Sequence, residues 1–217
     1  MPDKVSAQMF PHQPRWSEPI VRVIDIVIAL LVLGIAALPM LLIALAIKLE
    51  DRGSVIFFQA RVGKRAKVFH IWKFRTMTED QSRMSGDLVS GTSAAQARAQ
   101  FQTTSKNDNR ITRVGRILRP VHLDELPQIV NVLKGDMSFV GVRPDVPVQI
   151  ADYTEQNWQR RHVFRPGITG LAQVAKDVDS TEKRTAYDLK WVDTYSLGLY
   201  MRILLATFGK VLRRNSL

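Results

Sequence analysis

The chain has 217 residues, no cysteine and a formal net charge of +11. This length suits one good-sized domain, or one domain with an appendage, and the missing cysteine excludes disulfides, thiolate nucleophiles and cysteine-held metals. The excess of positive charge points to a polyanionic partner: nucleic acid, an anionic bilayer surface or phosphate-bearing substrates.

Residues 1–19 read as a polar tail with Pro2, Pro11, Pro14 and Pro19. No charged residue occurs from Ile26 to Ile47. About 22 helical residues span roughly 33 Å, enough to cross a hydrocarbon core. A cleaved signal peptide has a shorter core and a small-residue cleavage site. Here Lys48, Glu50, Asp51 and Arg52 follow directly, so residues 20–50 read as a retained membrane helix. Lys4, Arg15 and Arg22 precede it, and a denser basic cluster from Lys48 to Lys67 follows. Basic flanks mark the cytosol, which places the region after Lys48 there. Pro39, with Gly34 before it, is expected to kink the helix. Two forms stay open on this evidence: a plain span with a tolerated proline, and a helix that dips into one leaflet and returns.

Ser54–Gln59 and Val68–Phe74 are β-rich runs around Val62-Gly63-Lys64, the pattern of a hairpin. Residues 78–108 are polar and are expected to form a mobile cover or a weak helix. Ile111–Leu118 reads as a short basic helix. Leu126–Leu133 reads as a helix with an apolar face, capped near Gly135. Asp152–His162 reads as a polar surface helix, and Gly167 and Gly170 as brackets of a turn. The last segment, 196–217, mixes Leu, Ile and Phe with Arg and Lys. It is expected to be an amphipathic helix that packs on the domain or lies in the membrane plane. The fold class expected is mainly α with a small β-hairpin (α+β), with the catalytic domain over 51–195.

The chemistry concentrates in Arg119-Pro-Val-His-Leu-Asp124-Glu125-Leu-Pro127-Gln128. Proline is favoured in the first turn of a helix, so Pro127 sets Asp124 and Glu125 at or just before a helix start. Such a pair can simply cap the helix. It can also divide two tasks, one carboxylate attacking phosphorus and its neighbour holding a divalent cation. Arg119 upstream, Arg143 in the Gly135–Pro144 run and Arg165 in Arg165-Pro-Gly-Ile-Thr-Gly170 supply arginines in rigid turns, which suit bidentate phosphate binding. The histidines His12, His70, His122 and His162 show no zinc-type spacing.

These motifs, together with Gly53-Ser-Val-Ile-Phe57, Lys73-Phe-Arg-Thr-Met77 and Arg110-Ile-Thr-Arg-Val-Gly-Arg116, make the chain resemble the bacterial sugar transferases, the monotopic polyprenyl-phosphate phosphoglycosyl transferases. The resemblance runs from about Arg22 to Leu212. It implies a re-entrant N-terminal helix in the bacterial inner membrane, with the catalytic domain on the cytoplasmic face. It also implies a ping-pong reaction in which Asp124 attacks the sugar-linked phosphorus of a UDP-sugar and expels UMP. Polyprenyl phosphate then takes the phosphosugar. By the same resemblance Glu125 ligates Mg²⁺, and Arg119, Arg143 and Lys73 hold phosphates. Three departures stand out: Leu38 rather than a serine before Pro39, Val142 where the family commonly has proline, and Pro120-Val121-His122 in place of small hydroxyl residues. His122 reads as a packing or hydrogen-bonding substitute rather than a base.

Two other readings compete. A membrane-tethered nucleic-acid-binding protein fits the charge but lacks the motifs that carry such binding, and no nucleic-acid partner is expected. A silent scaffold fits the fold, but the intact Asp124, Glu125, Arg119 and Arg143 argue against it.

Overall fold

The computed structural model describes residues 17–78, 93–101 and 108–214. Most of the expected polar tail and most of the expected cover segment lie outside these residues.

Helix α1 (Ser17–Asp51) contains Pro39 within its bounds. Its Leu- and Ala-rich sequence favours helix, and its length and apolarity suffice to cross a membrane. A straight helix of 35 residues measures about 52 Å. The rest of the chain touches α1 at both ends. Glu18 pairs with Lys64 at 2.6 Å. Arg22 donates to the carbonyls of Val132 and Leu133 at 2.5 and 2.8 Å. Buried Asp25 accepts from Ser138 Oγ, the Phe139 N–H and Tyr200 Oη at 2.8–3.0 Å. At the other end, Glu50 accepts from the N–H groups of Arg113 and Val114 at 2.6 and 3.1 Å, and Asp51 pairs with buried Arg75. Ala29, Val32 and Leu33 pack into one apolar cluster, and Met40, Ile43, Ala44 and Ile47 into another. Between them Ile35 is 81% exposed, the most open of the large apolar side chains described.

Strands β1 (Ile56–Val62) and β2 (Val68–Phe74) form the expected antiparallel hairpin, in register from Ile56 opposite Phe74 to Val62 opposite Val68. β1 runs three residues beyond the β-rich stretch read from sequence. A short helix α2 (Ala94–Gln100) carries a capping box between Ser93 and Gln96. Helix α3 (Arg113–Leu118) is capped by the Thr112 side chain. Gly115 is required there, because a Cβ would overlap the Thr76 carbonyl.

Helix α4 (Gln128–Lys134) ends on Gly135 at φ 88°, the left-handed cap that glycine adopts at no steric cost. Strand β3 (Ser138–Val140) follows. After it come a 3₁₀ turn (Pro147–Asp152) and α5 (Glu155–Arg161). This corrects the expected polar surface helix: it starts later, and it buries Trp158 and Arg161. Gly167 and Gly170 do not bracket a turn. Gly167 opens strand β4 (Gly167–Thr169), which pairs parallel with β3. A Cβ on Gly167 would collide with the Gly141 backbone, so the close approach of the two segments excludes any larger residue. Helices α6 (Leu171–Val174), α7 (Thr181–Thr194) and α8 (Leu197–Arg214) complete the chain. Tyr200 and Ile203 of α8 enter the core with Val21, Trp191 and Val140, while Leu205 and Phe208 stay exposed. The architecture is α+β, as expected, with a second, parallel two-stranded sheet that the sequence did not announce.

Candidate active site

The acidic pair is placed by three successive local decisions. Helix α3 ends at Leu118, and Arg119 opens a 3₁₀ turn (Arg119–Val121). His122 then adopts φ 57°, ψ 22°, and a second 3₁₀ turn (Leu123–Glu125) follows. Histidine visits this left-handed region more readily than most residues, and β-branched residues do so at real cost. His122 therefore sets the sharp break between the two 3₁₀ turns. Pro127 is the N-cap of α4, and the two carboxylates stand just ahead of that helix, as its sequence position predicts.

Helix α4 is fixed at both ends. Asn131, fully buried, accepts from the Trp72 N–H at 2.9 Å and donates to the His70 carbonyl at 2.7 Å. It thereby docks α4 on β2 next to Lys73. At the C-terminus, Arg22 reaches the last carbonyls and Arg165 Nε donates to the Gly135 carbonyl at 2.8 Å. Such carbonyls need partners from outside the helix. The Nε of Arg165 thus braces the helix that follows the acids, and Arg165 is not among the residues lining the cleft described next.

That cleft lies between β1, β2, α4 and the loop after β3. It is lined by Arg61, Lys73, Glu125, Gln128 and Arg143, with Ile168 of β4. Lys73 pairs with Glu125 at 2.7 Å. Burial alone would raise the Glu125 carboxyl, but the charge and hydrogen bond of Lys73, with help from Arg143 and His122, hold it below its ordinary value. Asp124 goes the other way. Burial, reinforced by the charge of Glu125, raises it, against the opposing pull of Lys73 and Arg119. Two adjacent carboxyls are thus driven apart, the signature of separate acid–base tasks. Arg119 carries a buried Nη1 with no hydrogen-bond partner among the described residues, an orphan donor that an anion would satisfy.

The structure therefore brings Lys73, Glu125 and Arg143 into one cleft, with Asp124 and Arg119 within electrostatic reach of it. Sequence reading passed over Arg61, counting it only as one of several basic residues after the membrane helix. The described residues hold no cluster of three or more metal-ligating side chains. The donor set does not fit a cation cage made by protein alone. A single carboxylate ligand, Glu125, would fit a Mg²⁺ that draws its other ligands from substrate phosphates and water.

Comparison with known proteins gives this site a context. The model of the family described as bacterial sugar transferase matches residues 16–214. A UDP-glucose:undecaprenyl-phosphate glucose-1-phosphate transferase of Caulobacter vibrioides is 40% identical over 203 residues, 90% of this chain and 70% of its own. A UDP-N-acetylgalactosamine-undecaprenyl-phosphate N-acetylgalactosaminephosphotransferase of Aeromonas hydrophila is 37% identical over 88% of this chain, which spans only 43% of that relative. An exopolysaccharide production protein of Rhizobium leguminosarum is 40% identical over 89% of this chain and 96% of its own. With the family model spanning residues 16–214, and so all the described residues, the chain belongs to the bacterial sugar transferase family.

Proposed function

We propose that the protein transfers a sugar 1-phosphate from a UDP-sugar to polyprenyl phosphate at the cytoplasmic face of the bacterial inner membrane, with Asp124 as nucleophile. The observation that carries this reading is the split between Glu125, paired with Lys73 and held low, and Asp124, raised by burial and in no ion pair among the described residues, beside surplus cations.

An Asp124 oxygen attacks the phosphorus that bears the sugar. The bond from that phosphorus to the bridging oxygen breaks, and its electron pair leaves with UMP. The phosphosugar is then carried on Asp124 as an acyl phosphate. A phosphate oxygen of the polyprenyl carrier attacks the same phosphorus, the bond to Asp124 breaks, and the carboxylate is regenerated. The raised basicity of Asp124 improves it as a nucleophile. Lys73, Arg143 and Arg119 counter the charge on the phosphoryl oxygens. Lys73 also keeps Glu125 ionised. Mg²⁺, when bound through Glu125 and substrate phosphates, would supply further neutralisation of phosphoryl charge.

The re-entrant form of α1 is part of the proposal. Both ends of α1 grip the same domain, through Glu18, Arg22 and Asp25 at one end and Glu50 and Asp51 at the other. A plain span would leave the two ends on opposite faces of the bilayer. With the apolar apex near Ile35 in the membrane, both anchors stay on one side, and Met201, Leu205 and Phe208 of α8 offer a second, shallower contact.

The test is UMP release by the purified protein in detergent, across a panel of UDP-sugars with Mg²⁺. Release with at least one donor, increased by added polyprenyl phosphate, is expected. Absence of release with every donor contradicts the proposal.

A further inference from the structure

The cleft carries more positive charge than its own carboxylate balances. Arg61, Lys73 and Arg143 line it beside Glu125, and Glu125 is already engaged by Lys73 at 2.7 Å. Arg61 Nη1 donates to the Pro144 carbonyl at 2.9 Å and Nη2 to Gln59 Oε1 at 2.6 Å. Its Nε is buried with no hydrogen-bond partner among the described residues. Among the described residues no carboxylate forms an ion pair with Arg61. The nearby acid, Asp145, is taken by Arg161 at 2.8 Å. A guanidinium carries five N–H donors, and Arg61 uses two sites on neutral oxygens. Burial, with the charge of Arg143 beside it, pushes the guanidinium down to about 10, against the opposing pull of Asp145 and Glu125. Leaving a guanidinium in such a place without a counter-ion is unfavourable.

We infer that Arg61 is a further phosphate-binding residue, its spare N–H groups and those of Arg143 together holding the anionic oxygens of a substrate phosphate in the cleft. This rests on the transferase reading and deepens it. The phosphate has two sources in that reaction, the nucleotide donor's diphosphate and the head group of the lipid acceptor. Arg61 is suited to a double role: the bond to Pro144 holds the loop next to Arg143, and the N–H groups not used in that bond or on Gln59 are left for a ligand. A purely structural arginine would need only the first.

The test measures binding of UDP, and separately of a short-chain polyprenyl phosphate, to the full chain in detergent micelles. Wild type, Arg61→Lys and Arg61→Gln are compared, each with its melting temperature. Lysine keeps the charge and one donor for Pro144 but loses the fork. Arg61→Lys is expected to weaken one ligand about tenfold, the scale of one charge-assisted hydrogen bond, and Arg61→Gln to weaken it further. Weakened UDP binding assigns the contact to the donor. Weakened lipid-phosphate binding with UDP unchanged assigns it to the acceptor. If Arg61→Gln melts well below wild type, Arg61→Lys decides. Unchanged affinity for both ligands in the folded variants overturns the role of Arg61 and leaves the transferase reading standing. Failure of wild type to bind either ligand overturns both.

Discussion

Two charged clusters in this domain are built on opposite rules. In the first, Arg161, fully buried, is held by Asp145 at 2.8 Å and by Asp188, with Tyr153 stacked over the guanidinium at 4.6 Å. Every charge there meets another charge from the same chain. The second is the cleft lined by Glu125, Lys73, Arg61 and Arg143, with Asp124 and Arg119 within electrostatic reach of it, and there, among the described residues, only Lys73 and Glu125 form an ion pair. Buried charges are tolerated when paired. The first cluster is complete as folded, whereas the second is short of negative charge. The two are joined through the backbone: Asp145 lies two residues after Arg143, and its carbonyl accepts from the Val62 N–H at 2.9 Å. The closed cluster is a rigid mount for the open one.

Substitutions should sharpen that contrast by affecting activity in one cluster and stability in the other. Asp124→Asn should lower UMP release by about 10⁴-fold or more, the scale seen when a nucleophile is removed. It should not lower the melting temperature. The folded state binds the Asp124 proton more tightly than the unfolded chain does. Its ionised form therefore costs stability once the pH has risen above the raised folded value, and asparagine removes that cost. A marked drop in melting temperature would show that Asp124 is structural.

Arg161→Met should do the reverse. It strands two buried carboxylates, with an expected loss of about 3–5 kcal/mol, read as a fall in melting temperature of roughly 6–20 °C. A variant as stable as wild type would break the comparison.

Asn131→Leu tests the docking of α4 on β2 beside the site. It removes the bonds from α4 to β2 and should cost about 1–3 kcal/mol, with a fall in turnover as Lys73 and Glu125 lose their register. The smallest effect concerns pH. Because burial raises Asp124, the acid limb of donor-dependent UMP release should fall at a pH above that of an ordinary aspartate, about 3.9. Activity should be lost as the pH drops through the raised, folded-state value of Asp124, before about 3.9 is reached. A limb at or below it would contradict the electrostatic description of the site.

Local features of this molecule were legible in the sequence. The hairpin, the Gly135 cap and the position of Asp124 and Glu125 ahead of Pro127 depend on neighbours a few residues away, and each appears where its pattern predicts. Features set by distant partners were not legible. Arg22 looked like a topological flank, yet it caps α4 across 110 residues. Arg165 read only as a phosphate ligand, and its bracing of the same helix end through Nε was not foreseen. Parallel pairing of β3 with β4 depends on Gly141 and Gly167 meeting, which no local pattern encodes. Arg61 was one basic residue among many until the fold set it beside Arg143.

The central claim is that Asp124 becomes covalently phosphorylated by the donor. The protein should be mixed with a UDP-sugar it turns over, without lipid acceptor, quenched, and examined by intact-mass and peptide mass spectrometry. A mass increase of one phosphosugar, mapped to Asp124 and removed by adding polyprenyl phosphate, is the predicted result. A label on another residue, or product formation on added acceptor with no adduct at any time, would contradict it.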